Sequence, residues 1–283
     1  MSFSFIPPNL ALQHNVHPLD GVYARLDRAD DNIRNLDLKL REFRTANPQS
    51  FGTQINPDTG KFSHDAVFVK NPGYWVPVRI GEILFLLRSS LDHLVAQWLI
   101  PRTPEAERDD VLSNSGFPIY DDITRWPKFQ WSKIPRATPE LITAITDCQP
   151  CNRTDGKPPK DHPLAVLHAM NNTDKHRLLI ITVIKSSTAA KIGPEFKGTM
   201  DFIGSPYVPG SSDVTGYVHA PLVTGFVDIA SGGRMDVDFQ SSTEVAFKQV
   251  GTRQGEPVIP TLEHLAKSVR DLITSFKNDP RLF

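Results

Sequence analysis

The stretch Arg79–Ile100, RIGEILFLLRSSLDHLVAQWLI, constrains this chain more than any other. On a helix of 3.6 residues per turn, Ile80, Leu84, Leu87, Leu91, Leu94 and Trp98 share one stripe. Phe85, Leu86, Ala96 and Leu99 fall outside it, so the helix is apolar nearly all round and is expected to be surrounded by partners. Its charges sit where a buried helix can least easily hide them. Arg88 and Asp92 flank the stripe one turn apart, and His93 points roughly 140° away from Arg88.

The other elements are built to cover such a helix. From about residue 20 to 45, Val22, Leu26, Ala29, Ile33, Leu36, Leu40 and Phe43 repeat at alternating steps of four and three, with charge on the remaining faces. This predicts a bundle helix with one buried seam. SFGTQI and KFSHDAVFV flank Asn56-Pro57-Asp58-Thr59-Gly60, predicting a β-hairpin over about 50–69. Pro101 and Pro104 end the central helix, and a short helix is expected around Glu140–Asp147. A third main helix is read over Pro163–Lys185, its seam kept by Leu164, Leu167, Leu178 and Ile181. Asn171 and Asn172 offer a second possibility, a break with a new helix starting near Thr173.

From Ala189 to about Val250 the pattern turns to strands (FKGTMDFI, LVTGFVDIA, RMDVDF, TEVAFKQV), with Ser231-Gly232-Gly233 read as a hairpin turn. Thr261–Lys277 closes the chain as an amphipathic helix. The expected fold is α+β: an antiparallel helical bundle over residues 1–188 with the hairpin inserted, then an antiparallel β-sheet and a C-terminal helix over 189–283, packed as one unit with the bundle.

Composition excludes some function classes. A net charge of −1 with nine His recruits neither nucleic acid nor an anionic membrane through a global field, so any such partner needs a local patch. The N-terminus lacks the basic and apolar regions of a secretory signal, and Arg88, Asp92 and His93 make the central stretch a poor membrane span. Two Cys give no disulfide framework, which makes a reducing cytoplasm the expected location.

The chemistry-bearing residues are the polar interruptions of two apolar helices. Asn171, Asp174 and Lys175 occupy seam positions of the third helix, with His168 at the edge. An isolated buried charge costs several kcal/mol, so the two helices are expected to face each other, Arg88 near Asp174 and Asp92 near Lys175 or Arg177. His93 and His176 lie beside them in sequence and titrate near neutral pH. Two readings stay open: a salt-bridge network that fixes helix register, and a working site of Arg88, Asp92, His93, Asp174, Lys175 and His176, with Asn171, Asn172 and Arg177 binding.

LRSSLDHL with Asn172-Thr-Asp-Lys-His-Arg177 downstream resembles a set of largely uncharacterised bacterial proteins. They share an LRSxLDHL helix, a Phe-Pro-Ile segment (Phe117-Pro118-Ile119 here), a Gln-Pro step (Gln149-Pro150 here) and an N-x-DKHR helix. The similarity covers about residues 75–180 and assigns no activity. The R-x4-H spacing of Arg88 and His93 also resembles HEPN ribonucleases, helical proteins often acting as toxins or in phage defence. That resemblance implies a metal-independent ribonuclease in which two protomers bring Arg and His together. Arg88 would stabilise the phosphorane and His93 act as general acid and base. RNA, a homodimer and no cofactor are its implied partners.

Two further segments were candidates. In Thr124–Arg136, Trp126, Phe129 and Trp131 alternate with Arg125, Lys128, Lys133 and Arg136. This is either a base-stacking surface, for which both Trp must be accessible, or an aromatic plug on the bundle end. Cys148-Gln-Pro-Cys151 is a metal half-site or redox pair by spacing, with His162 or His168 available to complete it, or simply two thiols. In the resembling proteins a Tyr commonly replaces Cys151, and no metal is assigned. Phosphate-loop, dinucleotide, zincin and nucleophile-elbow motifs are absent from the sequence.

Overall fold

A computed structural model describes residues 17–47, 50–68, 72–176, 181–202, 207–208, 218–247, 250–252 and 255–283. The chain is a mixed α+β protein. Its helices are α1 (Asp20–Ala46), α2 (Trp75–Leu99), α3 (Arg108–Asn114), α4 (Pro139–Asp147), α5 (Pro163–His176) and α6 (Val258–Lys277). Its strands are β1 (Ser50–Ile55), β2 (Lys61–Phe68), β3 (Ile181–Ile192), β4 (Gly198–Phe202), β5 (Tyr207–Val208), β6 (Val218–Val227) and β7 (Val237–Phe247).

The helical seams do the packing that their spacing demands. Val22, Leu26, Ala29, Ile33, Leu36 and Leu40 are all buried on α1, and the six stripe residues of α2 are at most 1% exposed. Each such side chain contributes roughly 1.5–3 kcal/mol by leaving water. α2 packs against α1, α5 and α6. α6 runs antiparallel to α1, since Tyr23 meets Thr274 while Asp27 and Asp30 hold Arg270. The sequence expectation that α2 is covered on every side needs correction. Tyr74, Val78 and Phe85 are 73%, 48% and 58% exposed, so one flank of the helix is open. Extended to Arg102, α2 is the one helix among the described residues long and apolar enough to cross a membrane, and half of its most apolar window is buried in the fold.

The hairpin forms as its turn chemistry predicts. Asn56 Oδ1 accepts from the N–H of Asp58 (2.9 Å) and Thr59 (3.0 Å), and Gly60 takes φ 68°, a conformation open to glycine. β2 then pairs with β6, giving an antiparallel sheet in the order β1-β2-β6-β4. The hairpin and the later strands thus form one sheet. A second sheet has the order β5-β3-β7. Ser231-Gly232-Gly233 is not a hairpin turn, because β6 and β7 belong to different sheets. A short 3-10 turn there, with Gly232 at φ 79°, carries the chain from one sheet to the other.

The sheets meet around a small core of Phe62, Val223 and Val227, joined by Phe239. His64 is buried there, its ring stacked on Phe239 at 4.2 Å between centroids, its nitrogens bonded to Thr53 (2.9 Å) and Ser241 (3.1 Å). β7 links the two cores, because Val245 and Phe247 at its far end pack into the helical one.

The third helix is shorter than its apolar pattern suggested. α5 ends at His176, and Ile181 opens β3, so Ile181 keeps no helical seam; Leu178 lies outside the described residues. The run Ile180–Ile184 is almost entirely β-branched, and pairing with β7 satisfies its preference for a pleated surface. The boundary expected at 188/189 falls inside this strand.

Candidate functional site

Arg88 does not reach for the other helix. Its Nη2 donates to Oδ1 of Asp92, one turn along α2, at 2.8 Å, and to the carbonyl oxygen of Phe117 at 2.7 Å. Asp92 Oδ1 accepts in turn from the Phe117 N–H at 2.9 Å. Both main-chain groups of Phe117 are therefore held by one ion pair, much as a neighbouring strand would hold them. The Arg88 side chain is 16% exposed and Asp92 38%, so the guanidinium is enclosed and the carboxylate faces outward. Burial lowers the Arg88 pKa, and Asp92 opposes that shift.

Gln149 extends the clamp from the other side. It is 1% exposed, its Nε2 donates to the carbonyls of Pro118 and Ile145 (both 3.0 Å), and its Oε1 accepts from the Tyr120 N–H at 2.9 Å. Gly116 passes close to the centre, where an added β-carbon would lie 3.1 Å from Asp92 Oδ1. Three sequence signatures, Arg88 with Asp92, Phe117-Pro118-Ile119 and Gln149-Pro150, thus meet at one extended segment pinned to α2. The sequence quoted these pieces, but nothing in it said that they touch.

α5 does lie against α2, running the opposite way. His168 feels the charges of Arg88 and Asp92, whereas Asp174, later on α5, sits over Gly81, earlier on α2. A β-carbon at position 81 would come within 2.7 Å of the Asp174 Cγ. Gly81 and Asp92 are separated by about three turns, roughly 16 Å along the axis. The expected pairs Arg88–Asp174 and Asp92–Lys175 are therefore corrected. Geometry forbids the first, and the second is pre-empted because Asp92 takes Arg88 and Phe117 instead.

Asp174 has no ion-pair partner among the described residues, and burial raises its pKa. Asn171 is buried, Lys175 and His176 are exposed at the helix end, and Arg177 lies outside the described residues. The exposed Asn172 bonds His168 Nε2 at 3.0 Å.

No protein-family model, curated protein or solved structure matches the chain.

His93 looks away from Arg88. Burial lowers its pKa first, then the charge of Arg25 on α1, with Asp92 acting in the opposite direction. The histidine beside Arg88 is His168, whose pKa is lowered by burial and then by Arg88. Arg88 Nη1 and His168 Nδ1 are both buried and both lack a hydrogen-bond partner, an uncommon cost in a packed interior.

The aromatic loop is turned inward. Trp126 is buried at 9% exposure, stacked on Phe129 with ring centroids 5.6 Å apart, and edge-on to Trp131 at 5.9 Å. With Tyr120 these rings cap the helical core, so a surface requiring both Trp to be accessible is not formed; Lys128 is exposed. Cys148 and Cys151 are free thiols. Burial pushes the Cys148 thiol up to about 12, and its S–H donates to the Ile145 carbonyl at 3.1 Å. Among the described residues no group of three His, Cys, Asp or Glu side chains is placed to hold a metal.

Proposed function

We propose that this chain is a non-enzymatic binding or scaffold protein of the cytoplasm, and that its Arg88–Asp92 centre is a structural clamp. In this reading the antiparallel bundle, the sheets and the returning α6 form one framework. The observation that carries it is the double capture of Phe117: the groups that a phosphate would need are spent on main-chain N–H and C=O. A residue pair used in this way fixes register and costs stability when broken. The test is RNA cleavage in EDTA by the wild type and by His93→Ala. The clamp reading expects neither to cleave, and cleavage by the wild type that the variant loses would sink it.

A second reading keeps a metal-independent ribonuclease but moves its histidine. The partnerless nitrogens of Arg88 and His168 favour it, since two cationic or neutral donors side by side suit a phosphate. It predicts cleavage lost in His168→Ala and retained in His93→Ala. A homodimer that joins Arg88 to His93 of a second copy would instead show the reverse.

A further inference from the structure

The broadest described cleft lies away from the clamp, where the loop 153–161, the start of α5 and the start of α6 come together around a cavity of about 730 Å³. That volume is in the range of small-molecule sites. Its floor is apolar, made of Val166, Val250 and Leu265, each at most 4% exposed.

The charges on its wall sort into spent and unspent. Arg153 gives Nε and Nη2 to Asp155 (2.6 and 2.7 Å) and Nη1 to the Pro158 carbonyl (2.8 Å). Asp155 is thereby held at about 2. Asp161 accepts from both the N–H and the hydroxyl of Thr252, and Glu256 is also engaged. What remains is cationic or able to donate. The Lys157 ammonium and the His264 ring make no side-chain hydrogen bond or ion pair among the described residues. His162, close enough to feel the charge of His264, turns Nδ1 to the Leu164 N–H at 3.2 Å and leaves Nε2 without a protein partner.

We propose that this cleft binds a small organic anion, its carboxylate or phosphate met by Lys157, His264 and His162 and its compact apolar body laid on Val166, Val250 and Leu265. A hydrogen bond to an ionised partner is about twice as strong as a neutral one, and an enclosed apolar floor adds what a surface lysine alone does not. The site shares no residue with the Arg88–Asp92 clamp, so either proposal stands or falls without the other.

The probes are phenyl phosphate and benzoate, with benzyl alcohol as the uncharged control, titrated into the full chain by calorimetry. Saturable binding of one anion per chain is expected, with benzyl alcohol at least about tenfold weaker. The tighter of the two anions identifies the head group. Lys157→Ala and His264→Ala, both at exposed positions, should each weaken binding about tenfold with the melting temperature unchanged, while Lys128→Ala binds as the wild type does. Failure of both anions to saturate, or equal affinity in Lys157→Ala, overturns the proposal.

Discussion

Arg88 and Asp92, 2.8 Å apart on one helix, close on the two main-chain groups of the same distant residue, Phe117. A short ionic clasp thereby does the work of a β-ladder for a segment that has no neighbouring strand.

Removing one half of the clasp leaves the other uncompensated. Asp92→Ala strands an enclosed guanidinium and the Phe117 N–H. It should cost about 2–4 kcal/mol, below the full range for a sealed pair because Asp92 is 38% exposed. Thermal unfolding should show a fall of several degrees in Tm. The double variant Arg88→Met with Asp92→Leu should lose less than the sum of the single variants. Strict additivity would count against the clamp.

Asp174 should behave in the opposite way. It has no cation among the described residues and burial raises its pKa, so its charged form opposes folding. Asp174→Asn is expected to be neutral or stabilising in urea unfolding near neutral pH. Gly81→Ala, which drives a β-carbon into that carboxylate, should destabilise by about 1–3 kcal/mol and be partly rescued by Asp174→Ala. Equal damage with and without Asp174 would show that the contact does not matter.

Acid should weaken the fold before any carboxylate titrates. His64, His93, His162 and His168 all have pKa values lowered, chiefly by burial. Unfolding therefore takes up protons below the ordinary value of roughly 6.5. Their contribution to stability is complete above that pH and is lost as pH falls through their folded values. Asp174 has the reverse sign: its benefit is present below the usual carboxylate pKa and is lost as pH rises through its folded value. The unfolding free energy should drop between about pH 7.5 and about pH 5.5, and a flat profile there would contradict the burial of these rings.

Trp126 is a packing residue. Trp126→Ala should cost about 3–5 kcal/mol, whereas Lys128→Ala should leave Tm unchanged. Filter binding with single-stranded RNA tests the alternative, for a base-stacking role requires Lys128→Ala to lose RNA affinity while remaining folded.

Much of the architecture could be read in the chain because it is local. The seams of α1 and α6, the stripe of α2 and the Asn56–Gly60 turn each follow from spacing within a few residues, and each forms as read. The misreadings came where two local patterns competed or where a partner was distant. Ile181 fits a helical seam as well as a strand, and pairing with β7 decided for the strand. Ser231-Gly232-Gly233 has hairpin chemistry, yet which strands flank it in space is a property of the sheets.

The sequence by itself determined that α2 must carry ions in an apolar setting, since Arg88 and Asp92 are fixed one turn apart by helix geometry. Only the tertiary structure decided what they hold. Phe117 and Gln149 come from remote parts of the chain, and an extended segment advertises no periodicity that would announce its place. Hydrogen-bond partners of buried charges are chosen by distance in space, and residue spacing encodes that distance only within a single helix or strand.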